Sequence, residues 1–151
     1  MNNYKRIVAT GLGLSIMLVF GALNALIMNY SDWLTELVRP EVLPSIYSAL
    51  WLVDYLISAV LFGEFFISDK LRKGLISLGI IQVLNAVWCL VFFRLHNPTI
   101  PLFIMIIIFI VCIYVVVLCA KNTGIFVIFP TIILLWYAYL LGTNIVIAAY
   151  N

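Results

Sequence analysis

Polar and aromatic residues recur at helical spacing within the apolar stretches of this chain. In residues 82–93, QVLNAVWCLVFF, Gln82 and Asn85 share one helix face, while Asn85, Trp88 and Phe92 share the neighbouring one. An amide in hydrocarbon is costly unless it finds a hydrogen-bond partner. Two interpretations follow. The amides join helices by hydrogen bonds, or they line a cavity that takes a flat, mostly apolar ligand.

A carboxyl group lies within a second apolar stretch, residues 46–67. Trp51, Asp54, Tyr55 and Ser58 occur at i, i+3, i+4 and i+7, so they share one helix face. Because a carboxylate in hydrocarbon is strongly disfavoured, we expect Asp54 to be protonated, paired or in contact with water.

The remaining reactive side chains form no catalytic or metal-binding pattern. Cys89, Cys112 and Cys119 all fall in apolar stretches, which is typical of small core residues rather than of a disulfide set or a metal site. His96 lies in a short loop without a second histidine, which is typical of a loop residue rather than of a ligand or a base. The sequence contains no glycine-rich phosphate loop, zinc spacing or nucleophile elbow. We therefore expect no catalytic residue, no metal and no required cofactor.

Membrane-spanning helices would have to position these residues. The chain has 151 residues, of which 66% are hydrophobic and 9% charged, and its mean hydropathy is +1.24. A soluble domain of this size could not bury so much apolar surface. Each apolar stretch, at about 20 residues and about 30 Å, is long enough to cross the hydrocarbon core of a bilayer. We predict an all-α integral membrane protein with a single domain, residues 1–151, whose spans are 7–28, 46–67, 74–93, 100–120 and 124–149.

The longest connection, residues 29–45, contains SDWLTELV at 31–38. Ser31 or Asp32 could cap a helix there, and Trp33 lies on its apolar side. We predict a short amphipathic helix at the membrane interface. The alternatives are a solvated loop anchored by Trp33 and a lid over a cavity.

The basic residues are distributed unevenly between the two ends of the predicted bundle. Two of the eight, Arg39 and Arg94, lie on the side away from the N-terminus. The other six are Lys5, Arg6, Lys70, Arg72, Lys73 and Lys121. The positive-inside rule therefore predicts a cytoplasmic N-terminus and an external C-terminus. The net charge of +2 is too small and too scattered to indicate a nucleic-acid partner.

Small residues in the first span, Gly11 with Ser15 and Gly21 with Ala25, are spaced four apart. This spacing favours close packing against another helix.

The order of helices and motifs resembles the TspO/MBR family, the tryptophan-rich sensory proteins and translocator proteins. The most specific match is the third-helix pattern Q-x-L-N-x-x-W-x-x-x-F-F, which appears here as Gln82, Leu84, Asn85, Trp88, Phe92 and Phe93. The other matches are Pro40, Pro44, Trp51 and Tyr55 around the second helix and Trp136, Asn144 and Asn151 in the fifth. The chain departs from the family pattern at Ser45, which replaces a proline, at Thr131, which replaces a tyrosine, and at Pro130, which comes two residues early.

This resemblance implies a membrane receptor or sensor that binds porphyrins of the protoporphyrin IX type, or similar flat hydrophobic molecules, as ligands. The pocket would lie inside the bundle and open toward the first loop. By matching position and shared helix faces, the expected ligand-binding residues are Trp33, Trp51, Tyr55, Asn85, Trp88, Phe92, Trp136 and Asn144.

The resemblance also implies a homodimer in the lipid bilayer, with tetrapyrrole transport or light-dependent degradation as further expectations. Any enzymatic activity would be at most a weak photo-oxidation of the porphyrin. Sterol transport is not implied, because no basic residue follows Lys121. The alternative function is that of a small transporter or scaffold, whose polar residues serve helix packing or a proton path through Asp54.

Overall fold

The computed structural model describes residues 2–28, 33, 36–37, 39 and 44–151. Its long helices are α1 (Asn2–Met28), α2 (Pro44–Ile67), α3 (Lys73–Phe93), α4 (Ile100–Asn122) and α5 (Ile128–Tyr150). All five are long and apolar enough to cross a membrane. Helices suit such sequences because every backbone polar group in hydrocarbon must find its partner within the protein. The prediction of an all-α bundle of five transmembrane helices is confirmed.

The helix ends follow from local sequence. At the start of α4, the side-chain oxygen of Asn97 accepts hydrogen bonds from the backbone N–H groups of Thr99 and Ile100, at 2.9 and 2.8 Å. These donors have no partner within the helix, so Asn97 satisfies them.

The predicted fifth span, 124–149, corresponds to the apolar segment Gly124–Tyr150, which begins with a short turn before the helix itself. Residues Gly124–Val127 form a short 3-10 turn that Gly124 enters with φ +58°, and α5 follows from Ile128. Pro130 therefore lies in the first turn of α5, where its missing N–H removes no helical hydrogen bond.

The helices form a ring. Helix α1 packs against α2 and α3, α2 against α5, and α4 lies between α3 and α5. Helices α2 and α3 also contact each other across the interior. The candidate residues of the second, third and fifth spans are thereby brought to a common interior.

One face of each helix is buried, and the others face outward. Helix α4 shows this most clearly, because Met105, Ile108, Cys112, Val115 and Cys119 are all buried at helical spacing. Large apolar side chains on its other faces, such as Ile107 and Ile110, are exposed, as expected for contact with lipid. All three cysteines are buried and unpaired, which fits core residues.

Gly13, rather than the predicted Gly11, makes a close contact between α1 and α2. A Cβ atom placed on Gly11 would meet no atom within 4 Å, whereas one on Gly13 would lie 2.9 Å from the Phe62 Cβ. A Cβ on Gly21 would lie 3.0 Å from the Tyr55 ring. The prediction is therefore wrong for Gly11, since the buried face of α1 runs through Ala9, Gly13 and Met17 instead.

An ion pair joins the same two helices near the end where α1 begins. Arg6 Nε lies 2.5 Å from Glu64 Oε1, and Arg6 Nη2 lies 3.3 Å from the other carboxylate oxygen. Arg6 is half exposed, so the pair contributes about 1 kcal/mol or less. It connects the start of α1 to the end of α2 but adds little to the stability of the bundle.

Of the predicted amphipathic helix at 31–38, only residues 33, 36 and 37 are described, so that prediction lies largely outside the described part of the chain. The Glu36 N–H donates to the Trp33 carbonyl at 3.1 Å, which is a turn. The half-buried Trp33 ring packs against Phe92, with centroids 4.8 Å apart, and stacks on His96 at 5.2 Å. His96 thus takes part in packing between loops.

Candidate functional site

The interior contains a hydrogen-bonded chain of three side chains from three helices. The Asn85 side-chain N–H of α3 donates to the Tyr137 hydroxyl of α5 at 3.1 Å, and that hydroxyl donates to Asp54 Oδ2 of α2 at 3.4 Å. All three residues are buried, and each lies near the middle of its helix. Tyr137 therefore links the two polar residues singled out from sequence.

The ends of this chain carry polar atoms without a partner. Asp54 Oδ1 and Asn85 Oδ1 accept no hydrogen bond from any described residue. The Gln82 amide, one turn away on α3, likewise neither donates nor accepts a side-chain hydrogen bond with any described residue. Among the described residues, no cation forms an ion pair with Asp54, and Arg6 pairs instead with Glu64. Unsatisfied buried groups of this kind are costly and mark sites that water or a ligand can complete.

A second polar link joins α3 to α5. The Trp88 indole N–H donates to the Asn144 Oδ1 at 3.0 Å, and the Asn144 amide N–H donates to the Leu140 carbonyl of its own helix at 2.8 Å. Asn85, Trp88 and Asn144 are thus engaged in joining helices, as the first interpretation of the amides expects. Each such bond is worth about 1 kcal/mol in a membrane protein.

A third polar link joins α1 to α2. The Asn24 side-chain N–H donates to the Tyr55 hydroxyl at 2.9 Å. Asn24 Oδ1 has no partner among the described residues, although the residue is buried.

The predicted aromatic residues fall into two groups. In the first, Trp51 stacks on Tyr55 with centroids 5.9 Å apart, and its ring meets Trp136 edge to face at 5.6 Å. In the second, Trp88 stacks on Phe92 at 5.2 Å, and Trp33 of the first loop covers Phe92. Rings packed in this way are rigid and present large apolar faces.

A cavity of about 460 Å³ lies between α1 and α2. Trp51 and Tyr55 form one wall, and Gly21 and Asn24 lie on the other. Met28, the last residue of α1, and Ser48 also line it, so it extends toward the end of the bundle that carries the first loop. Among the predicted ligand-binding residues, Trp51 and Tyr55 line this cavity, and Trp136 packs behind Trp51.

A second cavity, of about 290 Å³, lies between α2 and α5. Among the described residues that line it, Asp54 is the one acidic residue, beside the aromatic rings of Trp136 and Tyr139. The other lining residues are apolar, namely Leu50, Val53, Ile57, Ile132, Ile133 and Leu135.

Sequence reasoning missed two residues of these networks, Tyr137 and Asn24. Tyr137 lies seven residues before Asn144, on the same helix face, and that spacing was the available signal. Asn24 carried the same signal as Asn85, an amide in an apolar span. What sequence could not give was the pairing of these residues across helices.

The fold and the interior define a class, that of small multi-pass membrane bundles with a polar and aromatic interior. Residues 13–149, nearly the whole chain, match the profile of the TspO/MBR family, so the chain belongs to that family. A comparison with curated proteins found no match. Membership in the family supports a sensor-like or receptor-like role in the membrane.

Proposed function

We propose that this protein is a membrane receptor for a flat, mostly apolar ligand of the tetrapyrrole class, bound in the cavity between α1 and α2. The observation that carries the proposal is the wall of that cavity, which the stacked rings of Trp51 and Tyr55 form with an interplanar angle of 28°. Two nearly parallel rings offer a planar ligand a broad, rigid contact surface.

The other features of the cavity suit the same ligand. Its volume of about 460 Å³ falls within the range of about 300 to 1,000 Å³ that is usual for small-molecule sites. Asn24 Oδ1, buried and without a described partner, offers a hydrogen-bond acceptor to a pyrrole N–H or a protonated carboxyl group. Gly21, which has no side chain, lets α1 pack closely against the Tyr55 ring at the edge of the cavity, since a Cβ atom there would lie 3.0 Å from that ring.

The remaining predicted residues support this wall from behind. Trp136 holds the Trp51 ring from α5, while Asn85, Trp88 and Asn144 tie α3 to α5. Trp33 and Phe92 lie together at the first-loop end of the bundle, where a ligand that projects from the cavity would meet them. On this proposal Trp51 and Tyr55 make the main contacts, and the other six residues position them or contact the ligand edge.

The interhelical hydrogen bonds also favour the alternative, a scaffold or small transporter whose polar residues serve packing. In that case the protein would bind no porphyrin with saturation. A single porphyrin titration therefore distinguishes the two functions.

The test is an absorbance and tryptophan-fluorescence titration of the purified protein in detergent with protoporphyrin IX. We expect saturable binding with a shifted Soret band and quenched tryptophan emission. Replacing Trp51 with Ala removes a buried ring contact worth about 1–3 kcal/mol, so the affinity should fall roughly 5- to 150-fold.

The matched control is Ile107→Ala on α4, a half-exposed residue that lines neither cavity. It should titrate like the parent. Absence of saturable binding in the parent, or a Trp51→Ala variant that titrates like the parent, would refute the proposal. The same samples, illuminated and kept dark, show whether bound porphyrin is degraded in light.

A further inference from the structure

The cavity between α2 and α5 combines features that the tetrapyrrole site does not require. None of the described residues lines both this cavity and the one between α1 and α2. The described residues of its walls are apolar or aromatic, apart from Asp54. A carboxyl group at the wall of an apolar cavity in mid-membrane is expensive to maintain and calls for a function.

The hydrogen bonds of Asp54 leave one of its two oxygens available. Oδ2 accepts from the Tyr137 hydroxyl, which is itself held by Asn85, so the carboxyl group is anchored from α5 and α3. Oδ1 has no partner among the described residues, and Asp54 is 2% exposed. The group is thus oriented by the protein on one side and unsatisfied on the other.

The aromatic residues of the cavity add a second attraction for positive charge. Trp136 and Tyr139 stack with centroids 5.6 Å apart and an interplanar angle of 16°. The faces of such rings attract organic cations, and tryptophan does so most strongly. A carboxylate and two aromatic rings that line one apolar cavity match an ammonium group that carries a hydrocarbon body.

We propose that the cleft between α2 and α5 is a second binding site, which takes a small hydrophobic amine. The ammonium group donates a hydrogen bond to Asp54, and the hydrocarbon body lies among the aliphatic residues beside Trp136. The volume of about 290 Å³ suits a ligand of one or two rings. Neutralising a buried carboxylate with a hydrogen-bonded cation removes the cost of leaving it unpaired.

The test compares 4-phenylbutylamine with 4-phenylbutan-1-ol, which has the same hydrocarbon body but a neutral head. Binding to the purified protein is measured by titration calorimetry, with protein-free micelles subtracted. Because a hydrogen bond between charged groups is worth more than one between neutral groups, the amine should bind about 10-fold or more tightly than the alcohol.

Two carboxylate variants separate the site from general charge effects. Asp54→Asn keeps the shape of the side chain and an acceptor for Tyr137, so the bundle should fold. It should lose the preference for the amine. Asp69→Asn removes a carboxylate that is exposed in the turn between α2 and α3, and it should bind the amine like the parent.

A third variant, Ile132→Trp, places a large ring at an outward-facing position of the cavity wall, which the fold should tolerate. It should abolish amine binding without changing the unfolding temperature, and it decides the question even if Asp54→Asn fails to fold. Equal binding of amine and alcohol, undiminished amine binding in Asp54→Asn, or no saturable amine binding at all would each overturn the proposal. None of these results bears on porphyrin binding in the cavity between α1 and α2, so the two proposals can fail separately.

Discussion

The hydroxyl of Tyr137 is the junction of the buried polar network. It accepts from Asn85 and donates to Asp54, so one oxygen atom satisfies side chains from two other helices. Both partners would be left without it if the hydroxyl were removed, and an unsatisfied buried group costs about 1–3 kcal/mol.

We therefore expect Tyr137→Phe to destabilise the bundle by about 1–2 kcal/mol, since hydrogen bonds in membrane proteins lie at the lower end of the range. The matched control is Tyr139→Phe on the same helix, whose ring is 37% exposed and which should change stability little. Thermal unfolding in detergent, followed by circular dichroism, measures both. Equal unfolding temperatures for Tyr137→Phe and the parent would show that the hydroxyl contributes nothing net.

For single residues, the sequence identifies the polar side chains that are energetically costly to bury, but not the residues that pair with them. Asp54 and Asn85 stand out because a carboxyl group and an amide interrupt apolar stretches. Tyr137 does not stand out, because tyrosine is common in membrane helices and its hydroxyl has a use only when other helices bring partners to it. Which aromatic residues line a cavity and which support it depends on the same tertiary contacts.

Helix α1 packs closely against α2 at several glycines, and Gly13 is the one on α1 that approaches the backbone of α2. A Cβ atom on Gly13 would lie 3.0 Å from the Ala59 carbonyl oxygen, and backbone at that distance cannot move aside cheaply. Gly11, half a turn away, faces open space.

Gly13→Leu should therefore separate the two helices and destabilise the protein by about 1–3 kcal/mol, the usual cost of overpacking. Gly11→Leu has the same composition and adds the same side chain on the outer face, so it should be neutral. The unfolding temperatures of the two variants in one detergent make the comparison. Similar losses in both, or in neither, would contradict the contact between α1 and α2.

The existence and length of the helices follow from the sequence, because apolar stretches of bilayer length have few other structures available. Which face of each helix is buried does not follow from the sequence. Gly11 and Gly13 are equally small, and spacing alone gave Gly11 to the contact face, where the structure places Gly13. A helix that is apolar all round gives no indication of its inward side, so the register of α1 against α2 required the neighbouring helix.

The five helices place the described basic residues unequally at the two ends of the bundle. Arg6 pairs with Glu64, which brings the start of α1 and the end of α2 together, and the turn with Lys70 follows directly. Arg39 and Arg94 lie at the other end. The positive-inside rule then predicts that the Lys70 end faces the cytoplasm.

Single cysteines test this orientation, because the three native cysteines are buried and should react slowly. In intact cells, a membrane-impermeant maleimide should label Tyr150→Cys but not Asp69→Cys, and both should be labelled after lysis. Tyr150 and Asp69 are both exposed, so accessibility within the protein is matched. The reverse labelling pattern would show that the bundle is inserted the other way.

The order of the helices around the ring could not be predicted from the sequence, because chain order indicates contacts between consecutive helices but not between the others. Helix α2 meets α5 and α1 meets α3, contacts that no loop length requires. These two contacts close the ring, and the contact of α2 with α5 brings Asp54 to Tyr137.

Both cavities continue onto the lipid-facing surface, since Leu52 beside one and Leu135 beside the other are exposed. A hydrophobic ligand dissolved in the bilayer therefore meets either cavity without passing through water. Transfer of about 200 Å² of apolar surface into the membrane is favourable by about 5 kcal/mol, which concentrates such a ligand several thousandfold there. The relevant quantity is then its mole fraction in the lipid phase. At a fixed total amount of ligand, adding membrane dilutes it and lowers the occupancy, even though the protein itself is unchanged.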